Sequence, residues 1–189
     1  MVRLMDACAE YNRKMLILDR PNPNGHYVDG PILDMKYKSS VGWLPIPIVH
    51  GMTLGELALM VNGERWLPAS RICDITVIKC KNYTHQTMYE LPIPPSPNLP
   101  NMKAVYLYPS TCYFEATPVS LGRGTQLPFQ IYGHPNMLGY DYTFTPQSIP
   151  GAKNPPQLNR ICHGVNLSEL SNEEIWKKGV DLSYLIDAY

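Results

Sequence analysis

The densest group of polar side chains lies in residues 112–135, CYFEATPVSLGRGTQLPFQIYGHP. Within this stretch Glu115 follows an apolar run, and Arg123 stands between Gly122 and Gly124. A planar guanidinium can grip a carboxylate with two hydrogen bonds, and flanking glycines let a ligand come close to the backbone. The pattern therefore favours an anion site at Arg123, although an isolated Gly-Arg-Gly sequence is more often a solvated turn.

Glu115 is expected to have a positively charged partner. The sequence from Asn101 predicts a buried helix that ends near Glu115, and the dipole of a helix disfavours a carboxylate at its carboxyl end. Arg123 is the nearest cation in sequence, so we predict a pair that is either functional or structural. Ser120 and Thr125 add hydroxyl groups that can bind a polar ligand beside it.

A second group of polar residues follows a predicted strand near the amino terminus. The apolar run MLILD (15–19) is typical of a buried strand in an α/β unit, and a loop rich in proline and glycine follows it. Open α/β sheets bind ligands at this carboxyl edge. Asp19, Arg20 and Asn22 are therefore candidate site residues, unless their side chains only hydrogen-bond their own loop.

Further candidates precede and follow the next predicted elements. A strand predicted over residues 73–81 opens into a long proline-rich loop, which places Tyr83 and His85 at the strand's carboxyl end. The Thr53–Glu56 spacing is that of a capping box, so its glutamate is predicted to cap a helix rather than to act as an acid. His50 lies just before that helix and is either a cleft residue or a structural histidine.

Composition excludes several classes of protein. The 189 residues carry 16 Lys and Arg against 16 Asp and Glu, which leaves no basic footprint for nucleic acid or for a membrane surface. No apolar run is long enough to span a bilayer, and no signal peptide is recognisable. The five cysteines lack the spacing of a zinc site or a disulfide framework. We therefore expect a small or neutral ligand.

The order of predicted elements indicates the fold class. Helices and strands alternate without an internal repeat, which predicts an α/β fold with α+β character and long proline-rich loops. Helical apolar patterns occupy both ends, at 2–14 and 181–189, so we expect a fragment of a longer protein.

Six segments match a family known from other proteins. They are LDRPNPNG (18–25), VDGPIL (28–33), VGWLPIPIVHGMTLGELA (41–58), NYTH (82–85), PSPNLPN (95–101) and FEATPVSLGRGTQLPFQIYGHP (114–135). Together they resemble the exo-β-N-acetylmuramidases, glycoside hydrolase family 171. The match extends over nearly the whole chain.

The resemblance implies a fold and an activity. Family members look like hydrolases that remove N-acetylmuramic acid (MurNAc) from the non-reducing ends of peptidoglycan fragments, in a cleft between a Rossmann-like domain and a smaller one. Residues 1–35 would then end the Rossmann-like domain, and residues 36–189 would form the smaller mixed α+β domain. The family's Gly-Pro-Glu-His-Gly segment, whose glutamate is the usual candidate acid, does not occur in this sequence. We therefore expect part of a cleft, inactive alone.

The resemblance also implies partners and a location, whereas the roles of single residues are inferred from the chemistry of the substrate. Muropeptides or MurNAc-GlcNAc saccharides would be the substrates, with no metal or organic cofactor, in a periplasmic or secreted setting. Glycoside hydrolysis uses two carboxyl groups about 5–9.5 Å apart, and Glu115 is our first candidate, Asp19 the second. Arg123, approached through Gly124, would take the lactyl carboxylate. The other expected sugar contacts are Arg20, Asn22, His50, Tyr83, His85, Ser120, Thr125 and Tyr132, with the two tyrosines stacking on a pyranose face.

Two other classes of function stay open. One is a carbohydrate-binding module without catalysis. The other is an interaction protein that displays the proline-rich segment 91–100 to an aromatic groove on a partner.

Overall fold

The computed structural model describes all 189 residues, which form two compact units, Met1–Tyr89 and Glu90–Tyr189. Five α-helices and seven short strands are distributed over both units, so the predicted mixed α/β class with α+β character is confirmed. The boundary that we predicted after residue 35 falls inside the first unit, between two strands that pair with each other. The structure therefore divides the chain at a different place, between Tyr89 and Glu90.

The first unit contains two helices and two small sheets. Its elements are α1 (Val2–Glu10), β1 (Met15–Leu18), β2 (Asp29–Ile32), β3 (Pro47–Val49), α2 (Leu54–Gly63) and β4 (Ile75–Ile78). Strands β1 and β4 pair in parallel, while β2 and β3 pair antiparallel. Parallel neighbours need a crossover connection, and α2 lies within it. Because β1 and β4 run in the same direction, the loops that leave them start at one edge of the sheet.

The side chains of β1 alternate between a face that is buried in the core of the first unit and a face that is exposed. Ile17 faces the core and is 5% exposed, whereas Leu16 and Leu18 are 59% and 69% exposed on the opposite face. The predicted strand is therefore confirmed, but only one of its faces is buried. The core that Ile17 joins consists of Met5, Ile17, Leu44, Leu57, Ala58, Val61, Leu67 and Cys73. Full burial of each large aliphatic side chain contributes about 1.5–3 kcal/mol.

The second unit is a three-stranded antiparallel sheet with three helices. Its elements are α3 (Met102–Thr111), a 3-10 turn (Cys112–Ala116), β5 (Ile131–His134), β6 (Tyr142–Phe144), β7 (Cys162–Asn166), α4 (Asn172–Lys178) and α5 (Ser183–Asp187). Strand β7 lies between β5 and β6. Asn101 caps α3 as predicted, because its side chain accepts a hydrogen bond from the Ala104 amide at 2.9 Å.

Strand β5 begins later than the apolar residues before it would suggest. The run PFQIY (128–132) predicts a strand, but β5 runs from Ile131 to His134. The difference arises at Phe129, whose φ of 59° is left-handed, and at Gln130, whose amide bonds to the Leu127 carbonyl at 3.2 Å. These residues form a turn, so the extended strand starts only after it.

The proline-rich segment 91–100 is attached to the second unit along its carboxyl half. Asn98 is 8% exposed and donates a side-chain hydrogen bond to the Gly151 carbonyl at 3.0 Å. Leu99 packs against the main core of that unit, whereas Ile93 is exposed. Half of the segment is therefore held against its own unit. Across the whole chain, no helix combines the length and the apolar character that a bilayer span requires.

Candidate functional site

A cleft of about 300 Å³ opens in the first unit, where β1 and β4 end. It is lined by Asp19, Thr53, Glu56, Leu59, Val77, Lys79, Cys80, Tyr83, Thr84 and His85. Three predicted site residues, Asp19, Tyr83 and His85, therefore meet in one place. The parallel pairing of the two strands brings them together, since it places the residues after Leu18 and after Ile78 at the same edge.

The Asp19 carboxylate lies at the amino terminus of α2. Its Oδ2 accepts a hydrogen bond from Thr53 Oγ1 at 2.6 Å, and its Oδ1 accepts from the Gly55 amide at 2.8 Å and from the Arg20 amide at 3.0 Å. The first amides of a helix have no partners within the helix, and the positive end of the dipole favours an anion there. Both oxygens of Asp19 are thus occupied in holding α2 against β1.

Gly55 permits this close approach. A Cβ atom at this position would lie 2.5 Å from Val77 Cγ1 and 2.8 Å from Asp19 Oδ2, both closer than van der Waals contact allows. A side chain would therefore push either the strand or the carboxylate away from the helix. This glycine is required by packing, although its backbone conformation is open to any residue.

Glu56 caps α2 and also contacts the loop after β4. The predicted capping box is confirmed: Thr53 Oγ1 accepts from the Glu56 amide, and Glu56 Oε2 accepts from the Thr53 amide at 2.8 Å. The other oxygen, Oε1, lies 3.1 Å from His85 Nε2. Burial alone would raise the pKa of Glu56, but the hydrogen bonds from Thr53 and His85 outweigh it and lower that pKa.

His85 is held by two acceptors. Its Nδ1 lies 3.0 Å from the Gly25 carbonyl oxygen, and its Nε2 faces the carboxylate of Glu56. A carbonyl and an ionised carboxylate can only accept, so this arrangement favours the imidazolium, in which both ring nitrogens donate. The hydrogen bonds to Gly25 and Glu56 accordingly raise the pKa of His85.

Tyr83 and Asn22 fasten the loop after β1 to the loop after β4. The Tyr83 hydroxyl donates to the Asn22 carbonyl at 3.0 Å and accepts from the Asn22 amide at 3.2 Å. The side chain of Asn22 donates to the Met52 carbonyl at 2.9 Å. Asn22 therefore joins three segments of the chain and does not line the cleft, whereas Tyr83 does.

Arg20 and His50 do not line the cleft. The side chain of Arg20 is exposed. His50 Nδ1 accepts a hydrogen bond from the Met52 amide at 3.1 Å, and burial lowers the pKa of His50. The structure thus gives His50 a local role in the turn that leads into α2, while its contact with a saccharide stays a prediction.

In the second unit Glu115 and Arg123 form the predicted ion pair. Arg123 Nη2 donates to Glu115 Oε1, and the Tyr108 hydroxyl donates weakly to Glu115 Oε2 at 3.4 Å. The guanidinium also lies over the ring of Phe129, 4.9 Å from its centre. Arg123 is therefore already occupied by a carboxylate and an aromatic face, and any ligand anion must compete with both.

The two glycines beside Arg123 have a packing role. Gly122 and Gly124 have φ values of 71° and 83°, which side chains adopt rarely. A Cβ on Gly122 would collide with Ile131, and one on Gly124 with Gln147. The sequence predicted that these glycines open a path to a ligand, but their surroundings are filled by the protein itself.

The structure corrects the predictions for Tyr132 and Ser120. Tyr132 is 1% exposed, stacks on Phe114 with ring centres 5.0 Å apart, and donates its hydroxyl to Asp187 at 2.6 Å. Its faces are therefore not accessible to a sugar. Ser120 is 0% exposed and pairs through its backbone with Gly133, so it does not reach a ligand either.

Thr125 is also used within its own turn. Its hydroxyl donates to the Gly122 carbonyl at 2.7 Å and accepts from the Leu127 amide at 3.1 Å. The second unit has in addition an apolar pocket of about 570 Å³, lined by Phe114, Thr117, Pro118, Val119, Leu185, Ile186, Ala188 and Tyr189. None of the predicted site residues lines it.

Several lining residues of the cleft in the first unit were not singled out by the sequence as ligand contacts. Thr53 and Glu56 were recognised only as a cap, and Lys79 only as part of the strand predicted over residues 73–81. The alternation of side chains along that strand, which puts Lys79 on the same face as Val77, is a signal that could have identified it. No group of three or more His, Cys, Asp and Glu side chains is arranged to hold a metal ion.

Two family models match the chain. The N-terminal model of the exo-β-N-acetylmuramidase NamZ matches residues 1–103, and the C-terminal model matches residues 106–186. The chain is 38% identical over 183 residues to the peptidoglycan β-N-acetylmuramidase NamZ of Bacillus subtilis strain 168. That alignment covers 88% of this chain and 43% of the relative.

Two crystal structures of DUF1343 family proteins from Bacteroides fragilis are similar to this chain. The first is 87% identical, has a TM-score of 0.98, and is matched over 100% of this chain and 54% of its own. The second is 28% identical, has a TM-score of 0.72, and is matched over 97% of this chain and 54% of its own. The chain thus spans about half the length of the relatives that it matches.

Proposed function

This chain belongs to the exo-β-N-acetylmuramidase NamZ family, and from that membership we propose that it supplies a saccharide-binding part of a peptidoglycan hydrolase. The proposed reaction removes MurNAc from the non-reducing end of muropeptides or of MurNAc-GlcNAc saccharides. Hydrolysis by carboxyl groups requires neither a metal nor an organic cofactor. A periplasmic or secreted location is part of the same proposal.

The cleft at the shared edge of β1 and β4 is the observation that carries this proposal. Three segments of the chain contribute its polar groups, and an aromatic ring, Tyr83, lines one side. Saccharides are bound by hydrogen bonds to their hydroxyls and by stacking on their apolar ring faces. Because the Tyr83 hydroxyl is fixed to Asn22, the ring is held in place before any ligand binds.

The two proposed catalytic carboxylates differ in their relation to this cleft. Asp19 lines it, whereas Glu115 belongs to the other unit and does not. Both Asp19 oxygens accept hydrogen bonds from the amino-terminal turn of α2, so we propose that Asp19 positions the cleft rather than donating a proton. The proton donor would then come from the family's Gly-Pro-Glu-His-Gly segment, which this sequence does not contain.

Release of product separates this proposal from a binding module without catalysis. A MurNAc-β-1,4-GlcNAc disaccharide is incubated with this chain and with a longer family polypeptide that carries it, and free MurNAc is measured by chromatography. We expect release only by the longer polypeptide, and a reduction of kcat/KM by about tenfold or more when Tyr83 in it is replaced by alanine.

A conservative control makes the Tyr83 result specific. Tyr89 contacts Tyr83 edge-on but does not line the cleft, so Tyr89→Phe is expected to leave kcat/KM within about twofold. Release by neither polypeptide, although both bind the disaccharide, would favour the binding module. Release by this chain alone would place the proton donor within its 189 residues.

A further inference from the structure

The charged side chains of the cleft fall into two classes, those with partners and one without. Asp19 is occupied by Thr53 and Gly55, and Glu56 by Thr53 and His85. These hydrogen bonds hold the two carboxylates in place. Glu56 forms an ion pair with His85, whereas Asp19 is bound by neutral donors and keeps its negative charge.

Lys79 is the exception. Its ammonium forms no ion pair and no hydrogen bond, yet its side chain lines the cleft. It directly follows β4 and, by the alternation of that strand, lies on the same side as Val77, which also lines the cleft. An ammonium that lines a cavity and has no ion pair of its own is suited to a ligand that carries an anion.

The alternative anion site is less available. Arg123 of the second unit is already bound to Glu115 and stacked on Phe129. A ligand carboxylate at Arg123 would have to displace the carboxylate of Glu115. This exchange of one carboxylate for another would contribute little binding free energy. Lys79 is paired with no carboxylate of the protein.

The proposed substrate carries one anion on its sugar ring. MurNAc differs from N-acetylglucosamine (GlcNAc) by a lactyl ether, and that ether ends in a carboxylate. Building on the proposed function, we propose that Lys79 binds the lactyl carboxylate and so makes the cleft specific for MurNAc over GlcNAc. Lys79 is then a specificity residue for the substrate, distinct from the groups that hold the cleft together.

The exposure of Lys79 determines how strongly it can favour MurNAc over GlcNAc. A hydrogen bond between charged groups contributes more to binding where water is excluded than at an exposed side chain. The lysine side chain is exposed, so we expect the lactyl group to strengthen binding by about five- to tenfold at low ionic strength. Most of that preference should disappear in about 1 M salt, where the Debye length falls to about 3 Å.

Paired titrations test the proposal. The chain is titrated with MurNAc and separately with GlcNAc, and amide NMR shifts of residues lining the cleft give the two dissociation constants. The variants are Lys79→Gln, which removes the charge, Lys79→Arg, which keeps it, and Lys81→Gln as a matched control. Lys81 is an exposed lysine two positions along that does not line the cleft.

We expect the five- to tenfold preference for MurNAc in the unsubstituted chain and in Lys81→Gln. In Lys79→Gln the ratio should fall to about one, and Lys79→Arg should retain most of it. Equal affinity for both sugars in the unsubstituted chain, or a preference that survives in Lys79→Gln, would overturn the role of Lys79 and leave the proposed function standing. Failure of both sugars to shift the cleft amides would overturn the proposed function together with this inference.

Discussion

In the first unit, charged groups from distant parts of the sequence line a single cleft, whereas in the second unit Glu115 and Arg123 join two neighbouring turns. Residues 19 and 55 are 36 positions apart and residues 56 and 85 are 29 apart, but Glu115 and Arg123 are separated by only 8. The dense polar stretch at residues 112–135 therefore forms a local ion pair between Glu115 and Arg123. The polar residues of the first unit are scattered along the sequence, yet they come together to line a cavity. Polar residues that meet in the folded chain indicate a candidate site better than polar residues that are merely close in sequence.

The largest expected contrast is between Asp19 and Glu115. Asp19→Ala leaves the Thr53 hydroxyl and the Gly55 amide without their acceptor at a helix terminus, so we expect a loss of about 2–3 kcal/mol in the stability of the first unit. Glu115→Ala breaks a partly exposed pair and should cost about 0.5–1 kcal/mol in the second unit. Amide hydrogen exchange, followed separately in each unit, measures the loss of stability in both variants.

A control within the first unit sharpens this contrast. Asp74 is exposed and does not cap α2. Asp74→Ala should therefore change the stability of α2, measured by amide hydrogen exchange, by less than about 0.5 kcal/mol. Equal effects of Asp19→Ala and Asp74→Ala would show that the helix does not depend on the carboxylate.

The two glycines of α2 provide the next contrast. Gly55→Ala must displace Val77 or Asp19, and we expect it to destabilise the first unit by about 1–3 kcal/mol. Gly63→Ala has no atom within 4 Å of the new methyl group, and should stabilise the helix by about 0.5–1 kcal/mol. Urea unfolding of the two variants compares them directly, and a loss of stability in both would contradict the packing role assigned to Gly55.

The pair in the second unit should show a small coupling energy. A double-mutant cycle with Glu115→Gln and Arg123→Ala is expected to give about 0.5–1 kcal/mol, because both side chains are about one-third exposed. Arg123→Lys should retain the charge but weaken the contact with Phe129. A coupling above about 2 kcal/mol would mean that this pair is as strongly held as the polar groups of the cleft.

The smallest predicted effect is a difference between the pKa values of His85 and His50. Hydrogen bonds to Gly25 and Glu56 raise the pKa of His85, whereas burial lowers that of His50, so NMR titration should find His85 protonated at pH values where His50 is neutral. Glu56→Gln should lower the pKa of His85 and leave that of His50 in place. A pKa of His85 below that of His50 would contradict the effect assigned to the hydrogen bonds with Gly25 and Glu56.

The raised pKa of His85 also fixes the sign of its effect on stability. Its stabilising contribution is fully present below the pKa of an unfolded histidine, about 6.5. It is lost as the pH rises through the higher value of the folded state. The imidazole is about half exposed, so the contribution should not exceed about 0.5 kcal/mol. Urea unfolding of the unsubstituted chain and of His85→Ala across pH 5–9 measures it.

Local features could be predicted from the sequence. The capping box at Thr53–Glu56, the cap at Asn101 and the Glu115–Arg123 pair each depend on residues within a few turns of one another, where spacing alone determines contact. The strand at residues 15–18 was also recognisable from its apolar run. These features follow from short-range geometry.

Features that depend on pairing between distant segments could not be predicted. The hydrogen bond between Glu56 and His85 requires the parallel register of β1 with β4, which no local spacing specifies. Tyr132 was expected to stack on a pyranose face of the substrate. Its burial depends on α5 supplying Asp187 as the partner of its hydroxyl, 55 residues away. The division at Tyr89–Glu90 likewise depends on which segments pack together.

The central claim is that the cleft of the first unit, and not the Glu115–Arg123 pair, receives the saccharide. The most direct test is an NMR titration of this chain with MurNAc-β-1,4-GlcNAc, with the shift of every assigned backbone amide recorded. The largest shifts should fall at residues 53–56 and 79–85, with residues 115–125 unaffected. Shifts concentrated at residues 115–125, with none in the first unit, would contradict the claim.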